Sequence, residues 1–63
     1  MAIKGDAFER RVFTLRMREK RWQVMDGEKM LADCQDYDMA SAAAARLARE
    51  AFNDGVHVRI ARE

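Results

Sequence analysis

Residues 22–34 have the sequence WQVMDGEKMLADC and contain the strongest turn signal in the chain. The dipeptide Asp26-Gly27 is typical of a β-hairpin, because glycine adopts the positive φ of a tight turn without steric cost. Apolar and polar residues alternate before the turn, where Trp22 and Val24 fall on one face of a strand. We therefore expect two antiparallel strands joined at this turn.

Two registers remain open for this hairpin. A two-residue loop sets Val24 opposite Lys29 and so places a lysine on the core face. A three-residue loop with glycine in the left-handed conformation sets Val24 opposite Glu28 and Trp22 opposite Met30. We favour the three-residue loop, because it places the alternating apolar set Met30, Ala32 and Cys34 on the core face and leaves Glu28 at the solvated end of the hairpin. A slip of one residue would turn that whole set outward.

An earlier strand is predicted from Val12 onward, with Phe13, Leu15 and Met17 on its apolar face. The charged run at residues 18–21 predicts the turn that joins it to the second strand. Residues 1–9 show no apolar periodicity, so we expect a loosely held N-terminal arm followed by a single domain at residues 10–63.

A helix is predicted over residues 39–53, with Asp38 as its N-cap and Gly55 just beyond its end. Its apolar stripe consists of Ala40, Ala44, Leu47, Ala48, Ala51 and Phe52. A last strand follows, with Val56, Val58 and Ile60 inward. His57, Arg59 and Arg62 are expected outward or near the end.

The predicted fold class is α+β, a single domain in the order β-β-β-α-β with one helix on one face of a mostly antiparallel sheet. If the last strand lies parallel to the first, the strand order is 3-2-1-4. The predicted core is Phe13, Leu15, Met17, Trp22, Val24, Met30, Leu47, Phe52, Val58 and Ile60. The second face of the sheet is then left uncovered. It carries Val12, Thr14, Arg16, Arg18, Gln23, Met25, Leu31, Asp33, His57 and Arg59, a mixture of apolar and charged side chains that is typical of a binding surface.

Composition excludes several classes of protein. A chain of 63 residues is too short to enclose a substrate chamber, and no apolar run approaches the roughly 18 residues that span a bilayer. The N-terminal residues do not resemble a secretory signal, and Cys34 is the single cysteine. We therefore expect a cytoplasmic protein that does not associate with membranes.

Net charge is +1, but this sum conceals two unlike segments. Residues 10–21 contain six cationic side chains and one anionic side chain, whereas residues 26–38 contain five anionic side chains and one cationic one. The chain therefore has a basic first hairpin and an acidic approach to the helix.

Residue types with catalytic or ligand-binding chemistry form no recognised pattern. A nucleophile such as Cys34 needs a base within hydrogen-bond reach, and His57, the single histidine, is expected on the other face of the sheet. The acidic residues lack metal-ligand spacing, and no glycine-rich phosphate loop is present. The sequence therefore predicts neither enzymatic activity nor a cofactor or bound metal.

Binding to a protein is the function that we expect, with the protein as a monomer or a homodimer. Arginine and methionine are enriched at protein interfaces, and charges of both signs fix the register of a partner. The expected contacts on the uncovered face are Arg16, Arg18, Met25 and Arg59, with Tyr37 and Asp36 at the acidic rim.

Nucleic-acid binding is the alternative function. Cations on a sheet and its first turn can contact phosphates. The residues concerned are Arg16, Arg18, Lys20, Arg21 and Arg59. Against this alternative, the uncovered face offers no pair of aromatic side chains for base stacking, and the acidic segment would repel a polyanion.

The layout from Trp22 to Ile60 resembles known small proteins. The Asp26-Gly27 turn, the alanine-rich helix at residues 40–51 and the final alternating strand are similar to small bacterial ββαβ domains of unknown function and to compact phage-encoded anti-CRISPR proteins. This resemblance implies a stoichiometric inhibitor that occludes a surface of its target without catalysis. Inhibitors that imitate DNA are strongly acidic, whereas this chain has a basic first hairpin.

Overall fold

The computed structural model describes residues 9–63. It consists of five elements: β1 (Glu9–Arg18), β2 (Arg21–Asp26), β3 (Lys29–Cys34), α1 (Tyr37–Asn53) and β4 (Val56–Arg62). The strands form one sheet in the order β3-β2-β1-β4. β1 pairs antiparallel with β2 and parallel with β4, and β2 pairs antiparallel with β3. The predicted fold class and strand order are confirmed.

The first strand begins earlier than its apolar pattern indicates. Of the predicted arm at residues 1–9, residues 1–8 lie outside the described part of the chain, and Glu9 belongs to β1. The Glu9 N–H donates to the Gly55 carbonyl at 3.2 Å, and Glu9 pairs with Val56. Backbone pairing with β4, rather than apolar alternation, defines this end of β1.

A tight turn joins β1 and β2 at Glu19 and Lys20. Arg18 pairs with Arg21, so the loop has two residues, and both adopt positive φ, 54° for Glu19 and 67° for Lys20. This is the conformation of a type I′ turn, whose twist matches that of the strands it joins. The predicted turn is confirmed, although neither residue is the asparagine or glycine that such turns favour.

Neither predicted register describes the second hairpin. Asp26 pairs with Lys29, so the two loop residues are Gly27 and Glu28, and Gly27 has φ 61°. Further along, Val24 pairs with Ala32, and a bulge beside Val24/Met25 absorbs one residue of β3. The extra residue allows both a tight two-residue turn and an apolar face near the helix, a combination that a regular ladder does not permit.

The bulge divides the predicted apolar set of β3. Ala32 and Cys34 pair with Val24 and Trp22 and pack against the core, as expected. Met30 instead pairs with Met25, and its side chain is 51% exposed. The expectation that Met30 lies in the core was therefore wrong.

The helix begins two residues before the predicted start. Asp36, not Asp38, is the N-cap, and its Oδ1 accepts a hydrogen bond from the Met39 N–H at 2.8 Å. Asp38 lies in the first turn, where its negative charge interacts favourably with the helix dipole. The two additional residues bring Tyr37 against Trp22, with ring centroids 5.0 Å apart.

The core lies between α1 and the centre of the sheet. Its buried side chains are Phe13, Leu15, Val24, Ala40 and Ala44. The two alanines allow the helix to approach the sheet closely. Burial of a large apolar side chain such as Leu15, which is 2% exposed, contributes about 1.5–3 kcal/mol to folding.

Several residues predicted for the core lie at its rim. Met17, Phe52 and Ile60 are 52%, 53% and 40% exposed. One helix is about 10–12 Å wide, whereas the outer strands of a four-stranded sheet lie about 14 Å apart. A single helix therefore leaves the margins of its own sheet face in contact with solvent.

The C-terminal end of β4 closes one side of the core. Arg62 was expected outward or near the end of the strand; it is the last residue of β4, and it pairs with Leu15, so its side chain lies on the helix side of the sheet. Its guanidinium carbon lies 5.4 Å from the centroid of Trp22 and 4.8 Å from that of Tyr37. This cation–π contact joins β2, α1 and β4.

None of the helices within residues 9–63 is long and apolar enough to cross a membrane.

Candidate binding face

The sheet face opposite α1 is the candidate site, and we call it the open face. Alternation along each strand assigns its residues, since successive side chains point to opposite faces. They are Arg10, Val12, Thr14, Arg16 and Arg18 of β1, Arg21, Gln23 and Met25 of β2, Met30 and Asp33 of β3, and His57, Arg59 and Ala61 of β4. In the described part of the chain, no helix covers this face.

Arginine side chains dominate the half of the open face that β1 and β4 form. Arg10, Arg16 and Arg18 follow one another along β1, and Arg59 lies beside Val12 on β4. Neither strand places a carboxylate on this face. The half sheet is therefore positively charged, although the net charge of the whole chain is only +1.

The arginines of the open face differ in their partners. Arg18 forms an ion pair with Glu63 at 3.2 Å, and Arg21 forms one with Asp33 at 2.7 Å. The Nε of Arg16 donates to the neutral Gln23 Oε1 at 3.0 Å.

Arg10 and Arg59 have no ion-pair partner within residues 9–63. Together with Arg16, they keep an uncompensated charge that is available to a ligand.

Acidic side chains of the segment from Asp26 to Asp38 lie mainly away from the open face. Asp26 is on the helix side, where its Oδ2 accepts a hydrogen bond from Arg11 at 2.6 Å. The hydrogen bond to Asp26 and its charge raise the pKa of the Arg11 guanidinium, and Glu9, whose carboxylate is 2.7 Å away, adds to the effect. Asp36 caps the helix, which leaves Asp33 as the open-face carboxylate of this segment.

A shallow depression of about 430 Å³ lies between β1 and β4. The parallel register creates it by pairing Arg10 with His57 and Val12 with Arg59. Its lining residues are Arg10, Arg11, Val12, His57, Val58 and Arg59. We call it the β1–β4 depression. Val12 is 48% exposed, so the cationic groups surround an apolar surface.

The structure brings together some of the predicted protein contacts and separates others. Arg16, Arg18 and Arg59 share the open face. Met25 also belongs to this face, but it is only 5% exposed between its paired neighbours and offers little contact area. Tyr37 is half-buried against Trp22, and Asp36 is occupied as the helix cap, so neither forms a rim to the open face.

The predicted nucleic-acid contacts are similarly divided. Arg16, Arg18 and Arg59 lie on the open face. Lys20 lies in the β1–β2 turn at one end of the sheet. Arg21 lies on the open face, but Asp33 compensates its charge.

Arg10 is the residue of this surface that sequence reasoning missed, because it was assigned to the start of the domain without a role. His57 was predicted on the uncovered face, although it was not named as a contact. The signal was present in the sequence, because the alternation of Val12, Thr14 and Arg16 extends back to Arg10. The residue that lies beside Arg10 on the neighbouring strand was not predictable, because it depends on the register of β1 and β4.

Side chains with catalytic potential remain apart. Cys34 is half-buried on the helix side of β3, and His57 lies on the open face of β4, at the other edge of the sheet. The His57 ring contacts Phe52, with ring centroids 5.3 Å apart. Within residues 9–63, no group of three or more His, Cys, Asp or Glu residues is arranged to hold a metal ion.

Comparison of the chain with models of protein families, with curated proteins and with solved structures finds no match.

Proposed function

We propose that this chain is a non-catalytic binding module that engages an acidic surface of a partner protein through its open face. Charge segregation is the observation that supports the proposal best. Arg10, Arg16 and Arg59 lie together on one side of the sheet without an ion-pair partner within residues 9–63. Complementary charge increases the rate of association and excludes partners of the same charge.

Rigid presentation of these charges also supports the proposal. The arginines project from paired strands rather than from loops, and the core behind them contains Leu15 and Val24 with 2% and 0% exposure. A rigid scaffold lowers the entropic cost of binding. Because the chain resembles compact phage inhibitors, the module would act by covering a surface of its target. The single cysteine, Cys34, favours the reducing cytoplasm as the place of action.

Nucleic-acid binding is the second candidate, and one observation favours it. The acidic residues expected to repel a polyanion lie largely off the open face, with Asp26 bonded to Arg11 and Asp36 capping the helix. The strands of the open face present no phenylalanine, tyrosine or tryptophan for base stacking among residues 9–63. Sequence-independent contact with duplex phosphates is therefore the form that this function would take.

A capture experiment with matched variants tests the proposed function. The wild type, Arg16→Glu/Arg59→Glu and Arg46→Glu/Arg49→Glu are each incubated with nuclease-treated host lysate. The control pair has the same change in charge and alters two exposed residues of α1 on the other side of the sheet. We expect the wild type and the helix variant to recover the same protein and the open-face variant to lose it. Equal recovery by all three would refute the assignment of the open face.

Titration with duplex and single-stranded DNA and RNA at two salt concentrations separates the two functions. A protein that contacts several phosphates loses affinity steeply as salt rises. Our proposal predicts no specific complex with nucleic acid at 150 mM salt, an ionic strength at which charges are screened beyond about 8 Å. A tight complex that weakens steeply with salt and is lost in Arg16→Glu/Arg59→Glu would instead establish the nucleic-acid function.

A further inference from the structure

We propose that the partner protein adds an extended segment, in which acidic and apolar residues alternate, to the outer edge of β4, an inference that rests on the function proposed above. β4 is the last strand on one side of the sheet, and within residues 9–63 no strand pairs with its outer side, which we call the β4 edge. The backbone groups of such an edge are available to a strand of another chain. Strand addition of this kind is a recurring mode of peptide recognition.

Two hydrogen bonds to β1 show which backbone groups of β4 point outward. The Glu9 N–H donates to the Gly55 carbonyl at 3.2 Å, and the Glu63 N–H donates to the Leu15 carbonyl at 2.9 Å. Successive residues of a strand direct their N–H and C=O groups to opposite sides, so the odd-numbered residues of β4 face β1. The even-numbered residues present their backbone groups at the β4 edge. They are Val56, Val58, Ile60 and Arg62.

The β4 edge suits an acidic strand better than the opposite edge of the sheet, which β3 forms. β4 pairs with β1 in an unbroken register from Val56 to Arg62. The β2–β3 ladder is interrupted by the bulge beside Val24/Met25, and bulges protect sheet edges from further pairing. β3 also carries the carboxylate of Asp33, whereas β4 carries none.

The side chains of β4 define the composition of the added segment. On the open face, Arg59 has no ion-pair partner within residues 9–63, so an acidic side chain opposite it forms a favourable cross-strand pair. On the helix side, Ile60 is 40% exposed beside the buried Phe13, and an apolar side chain opposite it would cover it. Directly opposed residues share a face of the sheet, so acidic and apolar residues alternate along the segment.

The same charges disfavour a second copy of this chain as the occupant. Full-length antiparallel pairing of two β4 strands would set Val56 opposite Arg62 and each Arg59 directly opposite that of the other copy. Like charges in direct opposition are destabilising, and charged side chains on an edge strand protect a protein from self-association. The β4 edge therefore favours an acidic segment over its own copy.

Titration by ¹H–¹⁵N NMR tests this inference with a seven-residue peptide that matches β4 in length, alternates glutamate and valine, and is blocked at both ends. We expect saturation with a Kd of about 1 mM, a weak but measurable affinity. Hydrogen exchange should become slower at the outward N–H groups of Val58 and Ile60. The same peptide with lysine in place of glutamate should not bind, because Arg59 repels it.

Two methylated peptides distinguish strand addition from attraction between charges. In antiparallel addition, which is slightly more stable per residue than parallel addition, the valines lie opposite Val58 and Ile60 and bond to their backbone groups. Methylation of the valine nitrogens should therefore abolish binding, whereas methylation of the glutamate nitrogens should largely preserve it. The reverse result would establish parallel addition, because the bonding residues then alternate with those opposite Val58 and Ile60. Equal effects of the two methylations would overturn strand addition.

Variants of β4 locate the site on the protein. Ile60→Pro removes an outward N–H at a position where an edge strand tolerates proline, and it should weaken binding of the peptide about fivefold relative to Ile60→Ala, which keeps the N–H. Arg59→Glu should weaken binding at least about tenfold, whereas Arg46→Glu makes the same change in charge on α1 and should leave the affinity unchanged. The dispersion of the NMR spectrum shows directly that each variant is folded.

Three further results would overturn the inference. Shifts that do not saturate would show general attraction of the acidic peptide. Protection of the N–H groups of Ala32 and Cys34, rather than those of Val58 and Ile60, would assign the addition to the β3 edge. A dimer whose Val58 and Ile60 N–H groups are protected without peptide would show that a second copy occupies the β4 edge.

The failure of strand addition is distinguishable from the failure of the proposed function. If the peptide does not bind but Arg16→Glu/Arg59→Glu still loses the captured protein, strand addition is wrong and the open face remains the binding surface. If the peptide binds as expected but capture is unaffected by that variant, the proposed function is wrong.

Discussion

Replacement of Lys20 by glycine is expected to stabilise this protein. Lys20 occupies the second position of the type I′ turn with φ 67°, a left-handed conformation that costs a residue with a β carbon roughly 1–2 kcal/mol. Glycine avoids that cost but loses about 0.5–1 kcal/mol through its greater freedom in the unfolded chain. The net gain in the free energy of unfolding is therefore about 0.5–1 kcal/mol.

Thermal unfolding followed by circular dichroism measures this gain. A stabilisation of 1 kcal/mol raises the Tm of a domain of this size by about 4–8 °C, so Lys20→Gly should raise Tm by about 2–8 °C. Lys20→Ala is the matched control, because it removes the charge but keeps the β carbon, and it should leave Tm nearly unchanged.

Equal Tm values for Lys20→Gly and Lys20→Ala would refute the reasoning. In that case the loss of the lysine charge, rather than relief of the left-handed conformation, would account for any change. A lower Tm for Lys20→Gly would show that the turn is not type I′ in solution. The double change Glu19→Asn/Lys20→Gly extends the test, because it introduces the dipeptide that type I′ turns favour most.

Four further substitutions test the helix cap and the packing described above. Asp36→Ala should lower the free energy of unfolding by about 1 kcal/mol because it removes the helix cap, whereas Asp38→Ala should cost less; the reverse order in chemical denaturation would assign the cap to Asp38. Arg62→Ala should cost about 0.5–1 kcal/mol and change the fluorescence of Trp22, and an unaltered emission spectrum would contradict the observed contact. Leu15→Ala should cost about 3 kcal/mol, a large share of the roughly 3–9 kcal/mol expected for the whole chain, so a loss below 1 kcal/mol in urea unfolding would contradict its central burial.

Element order and sheet topology were predictable because they depend on strong local signals. The alternation around Leu15, the turn at Gly27 and the helix stop at Gly55 each identify one element without knowledge of the others. Right-handed crossover and the burial of one sheet face then leave few arrangements for five elements.

Register was not predictable because it depends on a bulge. A two-residue loop and an apolar β3 face appeared incompatible as long as the ladder was assumed to be regular. The extra residue beside Val24/Met25 satisfies both requirements and turns Met30 away from the helix. Nothing in the residues around Leu31 signals a bulge locally, since none of them is a glycine or a proline.

The helix start illustrates a second limit. Asp36 and Asp38 are both suitable caps by residue type, and the local sequence does not distinguish them. The choice depends on tertiary packing, because capping at Asp36 brings Tyr37 into the helix and against Trp22 and Arg62.

The candidate site was predictable in part. Alternation alone placed Arg16, Arg18 and Arg59 on an uncovered face, and the structure places them there. The position of Arg10 beside His57 depends on the parallel register of β1 and β4, a relation between residues 47 positions apart. Met25 was expected to be an accessible contact, but it is buried on this face. Its burial was not predictable from alternation, because it depends on the side chains of the neighbouring strands.

The dissociation constant of the captured protein for three forms of the chain tests the central claim most directly. The claim is that the open face, rather than the helix side, binds the partner, so isothermal titration compares the wild type, Arg16→Glu/Arg59→Glu and Arg46→Glu/Arg49→Glu. We predict a loss of at least about tenfold for the open-face variant and less than about twofold for the helix variant. A Kd that is unchanged in the first and raised in the second would contradict the account.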